Sequence, residues 1–521
     1  MGEWIVTFTN GIEQTVDIAA DGKVTVTEPK RTAKGKAVVK DGVTEIRYDD
    51  DRVELWSFGS AKDNLTVQHW HPISARSKTM PAIGSALKND TKPSALKVHE
   101  WGTFTVLQGS SGQVIDWYQA PNKLVDLPPF VKQQRIRLSG KSGTTQTGGM
   151  DTVRMETPVL YFYPEKEMDV TVTAKFLNGR ITEIFPPAVN RNFSGPTMWH
   201  GSLLPPNSPE KAKIPKADGP KGRHYAAARE VPEAWLFRNT PLPIGNEEEK
   251  EEIARIKAGM LQVLPLAEKA SEQKAEPVDP IDHFIFYRGA GRPNFSQISA
   301  RQGNGPGNFT LYNYGKSAVP KLFALQISDG QTSWVSLDQL EIVKYDKTKR
   351  LNHRSITFPK PSGATHQVAD DLRAAMIESL HSEGLTKDEA TAMVNTWDNL
   401  WFTEPGTRIL AILPQQTADE MVPLQISPVP TEIDRVFVAR VEILTREVEQ
   451  ELTSLLSPPS SEAEAAEMQT DAQRLEDIQL GRYSAGGMER AADLIERKVR
   501  NRFARLQHTA AETKKLQANR D

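Results

Sequence analysis

Short runs of alternating polar and apolar residues, closed by Asn-Gly and Asp-Gly pairs, constrain this chain more than any other feature. Over residues 1–75 the runs WIVTFT, QTVDIAA, KVTVTE, AVVK, VTEIRY, VELWSF and LTVQHW follow one another, with Asn10-Gly11, Asp21-Gly22 and Asp41-Gly42 between them. These dipeptides supply the positive φ that tight hairpin turns require. Strands at that spacing predict a small antiparallel barrel or sandwich over 1–75. Residues 76–96 carry Pro, Gly, Ser and Lys without periodicity and read as a linker.

A larger β region opens at KVHEWGTFTVL, 97–107. One face of that strand carries His99, Trp101, Thr103 and Thr105. The other carries Val98, Glu100, Gly102, Phe104 and Val106, which places a carboxylate in an apolar row. A buried carboxylate must be paired, hydrogen-bonded or protonated. TVRMETPVLYFYP, 152–164, then sets Glu156 beside Arg154, two residues away on the same face, in a mostly apolar run. Pro158 cannot donate to a sheet ladder, so this strand is expected at an edge or bulged. VTVTAKFLNGRITEIFPP forms a hairpin about Asn178-Gly179, and HFIFYRG, FTLYNYG, KLFALQISDGQTSWVSL, RILAIL and RVFVARVEIL return to the sheet.

The expected architecture is mainly β. A small antiparallel module is followed by a β-sandwich-like domain over 97–456 with helical insertions at 246–270 and 365–402, then a helical extension over 457–521. Thr386 and Glu389 form a capping box, and the stripe Val368, Leu372, Met376 and Leu380 marks the helix before it. The last segment turns from acidic (Glu462 to Asp477) to a basic amphipathic stretch with Arg497, Lys498 and Arg500, a candidate for oligomerisation through the C-terminal helices.

Composition removes several functions. The chain has 521 residues and a formal net charge of −3, without the basic excess of a general nucleic-acid binder. No apolar run is long enough for a membrane-spanning helix. Cysteine is absent, which excludes disulfides, thiolate metal sites and cysteine nucleophiles. Its absence fits an exported bacterial protein that has lost its leader, which is the expectation, and also fits a cytoplasmic protein without thiols. The Gly140-Lys141-Ser142 triplet lacks the earlier glycine of a phosphate loop, since Arg135 stands there. No G-x-S-x-G elbow, H-E-x-x-H helix or dinucleotide fingerprint occurs.

Two readings of the site residues remain. His69-Trp70-His71 points two imidazoles to one face, and with His99 they are the candidate metal ligands, although the pair lacks the rest of a tetrahedral set. No cofactor is named by any motif. A hydrolase, with or without a metal, would use Glu100 and Glu156 as acid and base with His224, since unlike surroundings separate carboxylate pKa values. It requires the two carboxylates within about 10 Å of each other on one pocket. Trp101, Arg154, Tyr225, Arg229, Tyr287 and Arg288 are the candidate ligand-binding residues around them. Against this stands the plainer reading that Glu100 and Glu156 form buried ion pairs with arginines such as Arg154 or Arg288.

The strings HEWGTFT (99–105), METPVLYFY (155–163), HYAAARE (224–230) and FYRG (286–289), with RVFVARVEIL, resemble a family of uncharacterised bacterial proteins of planctomycete type. The resemblance covers roughly 97–450, and the N-terminal module resembles one that accompanies such proteins. It implies export and no particular activity. The leading expectation is a non-catalytic exported or envelope protein that binds a glycan or a protein, with the hydrolase as the alternative.

Overall fold

A computed structural model of the chain describes residues 2–8, 13–28, 31–40, 43–58, 64–70, 82–88, 94–117, 127–133, 151–188, 196–217 and 222–240. It further describes 279–344 except 294 and 296, 352–456 except 362, and 478, 480–483 and 486–498. The expected helix at 246–270, the loop at 139–149 and His71 lie outside the described residues.

The N-terminal module is a closed antiparallel barrel: β1 (Gly2–Phe8), β2 (Glu13–Ile18), β3 (Lys23–Glu28), β4 (Arg31–Lys40), β5 (Val43–Tyr48), β6 (Val53–Phe58), β7 (Asn64–Trp70) and β8 (Ala82–Lys88). Closure removes the edges that a short sheet would expose. Trp4, Val6, Val16, Val26, Ile46, Trp56 and Val67 fill the interior. β8 corrects the expected linker, because it pairs with both β7 and β1 and completes the barrel. Its sequence, AIGSALK, is mostly small residues. Backbone pairing places it there, without the apolar alternation that marks the other strands.

The rest of the described chain is mainly β, with the helices Thr365–Ser382 and Lys387–Asp398 on one face of a large sheet and the short helix Gln415–Met421 against the other. A large mixed sheet runs through β9 (Ser94–Gln108), flanked by the strands Val153–Pro164 and Pro430–Ile443. Strand Pro430–Ile443 pairs with β9 in parallel, while Val153–Pro164 pairs antiparallel. The faces of β9 sort the interior into two cores. Val98, Phe104 and Val106 join Met155, Leu160 and Phe162 against Val170, Val172, Trp199 and Phe237 of a second, five-stranded sheet, a sandwich packing. The same core takes Phe309, Leu311 and Ile356 from a three-stranded sheet of Ser299–Gln302, Asn308–Tyr312 and Arg354–Thr357.

On the opposite face Trp101, Val159 and Tyr161 pack with Val436 and Val438 beneath the helices Thr365–Ser382 and Lys387–Asp398. Their stripe includes Val368, Leu372, Met376, Leu380, Met393 and Trp397. The capping box at Thr386 and Glu389 is formed. Arg446–Leu455 is a further helix, and residues 486–498 are helical. Among the described residues no helix is long and apolar enough to cross a membrane.

Pro158 sits in a central strand, and a bulge accommodates it. The register with β9 slips between Glu156 and Val159, with Thr157 at φ 51°. One inserted residue reverses the side-chain parity beyond it. Arg154 and Glu156 therefore share a face with Val159 and Tyr161, where simple alternation groups them with Leu160 and Phe162. Gly102 lies across from this bulge. A Cβ there would stand 2.7 Å from the Phe437 ring and 3.2 Å from Pro158 Cα, so only glycine lets the neighbouring strands close.

Candidate functional site

Glu100 points into the sandwich core with no exposed surface. Arg435 Nε donates to it at 2.6 Å, and the Tyr287 hydroxyl donates to its other oxygen. Arg435 also reaches Asp419 at 2.8 Å. Burial opposes the charge on Arg435, yet Glu100 holds its pKa above the ordinary arginine value. Burial and Glu100 push the Tyr287 hydroxyl far up, so it stays a donor. This is a closed ion pair inside a core.

Glu156 leaves the sheet on the other face, as the bulge dictates. It accepts from Thr105 Oγ1 at 2.5 Å and from Arg482 Nη1 at 2.7 Å, and Arg154 Nε lies 3.1 Å away. Burial raises its pKa, but Arg482, Arg154 and Arg288 outweigh burial and hold the carboxyl well below the ordinary value. Beyond this group, Arg440 bridges Glu404 and Glu442, and Arg408 binds Glu442 at 3.1 Å. Glu100 and Glu156 thus occupy opposite faces, each saturated by arginine. The structure does not bring together the acid–base pair that the hydrolase reading requires.

The remaining candidates scatter as well. His224 Nδ1 bonds to the Thr396 carbonyl, and its ring packs 5.8 Å from Trp397. Tyr225 donates to Asp282 at 2.9 Å, and Arg229 grips the same carboxylate at 2.6 Å. Trp101 is enclosed in the helix-covered core. Arg288 lies beside Thr157 and Glu156. His69 meets Glu54 inside the barrel at 3.0 Å, whereas His99 meets Glu389 at 2.9 Å across the large sheet. The two imidazoles belong to different sheets and serve different carboxylates. Among the described residues no group of three or more metal-binding side chains forms.

What the fold does assemble is an open cleft of about 570 Å³ at one end of the large sheet. The turn after β9 contributes Ser110 and Ser111, the three-stranded sheet contributes Arg301 and Gln302, and the helix Arg446–Leu455 contributes Arg446, Glu449 and Thr453. The helical residues 486–498 close it with Arg490, Leu494 and Lys498. Glu449 is held by Arg490 Nε at 2.8 Å and by Ser110 Oγ at 2.6 Å. The other cleft cations make no close ion pair, although against burial Gln302, with help from Arg446, holds the neighbouring Glu447 carboxyl below its ordinary value. Arg446 spends its guanidinium on the backbone carbonyls of Gly303 and Gln302, and Arg301 donates to the Tyr314 hydroxyl at 3.2 Å. No described carboxylate forms an ion pair with Arg301, Arg446 or Lys498.

These residues carry no sequence motif. Arg301 and Arg446 lie far apart in the chain, at the end of the strand Ser299–Gln302 and the start of the helix Arg446–Leu455. The packing of that helix start against the strand end, with Arg446 bonded to Gln302, brings them together.

No family model matches this chain. No curated protein matches it either. Among solved structures, the Mu homology domain of Fcho1 from Danio rerio, with a bound Eps15 peptide, aligns over 68% of this chain and 98% of that chain. The identity is 6% and the TM-score 0.23, a likeness that carries no argument about fold or ligand.

Proposed function

We propose that this protein is a non-catalytic binding protein of an exported bacterial family, and that its ligand is an anion-bearing molecule held in the cleft beside Arg301. The observation that carries this reading is the set of cleft cations, Arg301, Arg446 and Lys498, none of which forms an ion pair within 4.0 Å with a described carboxylate, Glu447 beside Arg446 interacting at longer range. Cleft walls of low dielectric strengthen the field such charges present to a ligand. Arginine supplies a planar fork suited to carboxylate or sulfate oxygens, and the flanking Ser111 and Gln450 offer neutral hydrogen bonds, while Gln302 is held by Glu447 and the Arg446 backbone N–H. The buried carboxylates, by contrast, are consumed by structural pairs. Export is supported by the absence of cysteine and by the family resemblance of residues 97–450.

The test is calorimetric titration of the full chain with short polyanions, an oligogalacturonate and an oligoglutamate, at low and high salt. Binding that weakens steeply with salt and is lost in an Arg301→Ala, Arg446→Ala, Lys498→Ala variant is the expected result. Absence of binding to either probe, or full binding by the triple variant, would overturn the reading.

A further inference from the structure

The three-stranded sheet next to the cleft turns one face inward and one outward. Ala300, Phe309, Leu311 and Ile356 are buried in the sandwich core. The pairings Arg301 with Thr310 and Ser299 with Tyr312 put the alternate residues on the outer face. Tyr312 and Tyr314 form a ladder there, with centroids 5.8 Å apart and planes within 14° of each other. Tyr314 is 39% exposed. His353, just before the neighbouring strand Arg354–Thr357, flanks Tyr312 with ring centroids 5.7 Å apart.

Arg301 joins this face to the cleft. Its guanidinium lies 4.8 Å above the Tyr312 ring and donates to the Tyr314 hydroxyl, while the same residue lines the cavity. The contact restricts both rings, so little side-chain freedom is left to lose when a ligand settles on them. Thr310 and Ser355, opposite each other on the outer face, add hydroxyls beside the rings.

We infer that the ligand is an acidic glycan, its sugar rings stacked on Tyr312 and Tyr314 and its carboxylate or sulfate groups turned toward Arg301, Arg446 and Lys498. This rests on the anionic-ligand reading and narrows it to one class. A pyranose presents a face of C–H groups that fits the electron-rich face of an aromatic ring, with hydroxyls at its rim. An extended acidic peptide uses the same cations but has no flat apolar face to lay on two near-parallel tyrosines. An exposed Tyr314 parallel to a partly buried Tyr312, hydroxyl side chains and a cationic cleft in one continuous stretch match the sugar better than the peptide.

The experiment compares oligogalacturonate with oligoglutamate of equal charge on the full chain, using wild type, Tyr314→Ala and Tyr314→Phe. The glycan is expected to bind more tightly than the peptide. Tyr314→Ala should weaken the glycan about tenfold and leave the peptide unchanged, as expected for loss of one stacking ring. Tyr314→Phe, which keeps the ring, should retain most of the glycan affinity. Equal binding of both probes with no effect of Tyr314→Ala would overturn the glycan assignment while the anionic cleft stood. Failure of both probes to bind would remove the cleft reading, and this inference with it. Tyr314 is exposed and outside both cores, so its substitution tests binding without testing folding.

Discussion

His99 Nδ1 lies 2.9 Å from Glu389 Oε2, fastening the first strand of the large sheet to the capped helix that crosses it. The Tyr163 hydroxyl donates to Glu389 at 2.5 Å and the Thr386 backbone N–H at 2.7 Å, so that carboxylate is satisfied on every side. Asp434 stands 3.6 Å from the other ring nitrogen, with Glu432 and Lys97 beyond it. Burial disfavours the charged imidazole, but Glu389 prevails and raises His99 above its ordinary 6.5. Burial likewise raises Glu389, and His99 prevails in lowering it below 4.5.

The pH dependence follows from those two directions. The His99 share of stability is complete below 6.5 and is lost as pH rises through its higher folded value. The Glu389 share is complete above 4.5 and is lost as pH falls through its lower folded value. His99→Gln should therefore cost most between these limits, about 2 kcal/mol. Denaturation of wild type and variant across pH 4 to 9 checks it. A difference independent of pH would mean that the pair carries no charge.

The Glu100–Arg435 pair predicts a different pattern. Removing either partner strands a buried charge, so Glu100→Gln or Arg435→Met should cost about 3–5 kcal/mol. Replacing both, as Glu100→Leu with Arg435→Met, should cost clearly less than the sum of the single changes. Asp419 loses its partner in that variant, but its carboxylate is half exposed and can turn to water. Urea melts of the three variants decide this, and strictly additive losses would show that the residues are not coupled.

Alternation and turn chemistry make the β organisation of the chain legible in its sequence. They exposed the barrel strands, the β9 pattern with its buried acid, and the capping box. What escaped them was non-local. A bulge at Thr157 reversed the face of Glu156, and proline in the strand announced an irregularity without fixing its sign. Partner choice was hidden too, because Arg435 and Arg482 come from the far end of the chain, more than 300 positions from the acids they bind. Glu389 was legible as a cap and not as the partner of His99. β8 lacked the regular apolar alternation of the other barrel strands. The cleft was invisible for the same reason as the ion pairs, since its cations meet only when separate elements pack.

The segment around Gly481–Tyr483 is predicted to brace the large sheet. Arg482 binds Glu156, the Tyr483 ring packs 4.9 Å from Trp117, and Arg490 binds the helix residue Glu449. Deleting residues from 478 onward should lower Tm and expose the arginine–glutamate group to solvent. Glu156→Gln should then cost less in the shortened chain than in the full one, because the strongest hydrogen-bonded cation is already gone. Calorimetry on the four proteins measures that coupling. Light scattering on the same samples tests whether the C-terminal helices also hold copies together, in which case the mass falls on deletion.

Inside the barrel, Glu54 receives four donors and has no exposed surface. Gln14 Nε2 lies at 2.7 Å, Trp56 Nε1 at 2.9 Å, and the Tyr48 hydroxyl and His69 Nδ1 each at 3.0 Å. Burial and the Glu54 charge push the Tyr48 hydroxyl well above its ordinary value, so it remains a donor throughout the working pH range. Glu54→Gln preserves the volume but turns one acceptor oxygen into a donor facing other donors. It should destabilise the barrel by about 2 kcal/mol or more, since at least one buried N–H or O–H loses its acceptor. His69→Ala should cost less, because His69 is partly exposed and water can replace it. Trp4 and Trp56, packed edge to face at 5.8 Å, report barrel opening by fluorescence. Equal effects of the two substitutions would show that His69, rather than the shared carboxylate, anchors this network.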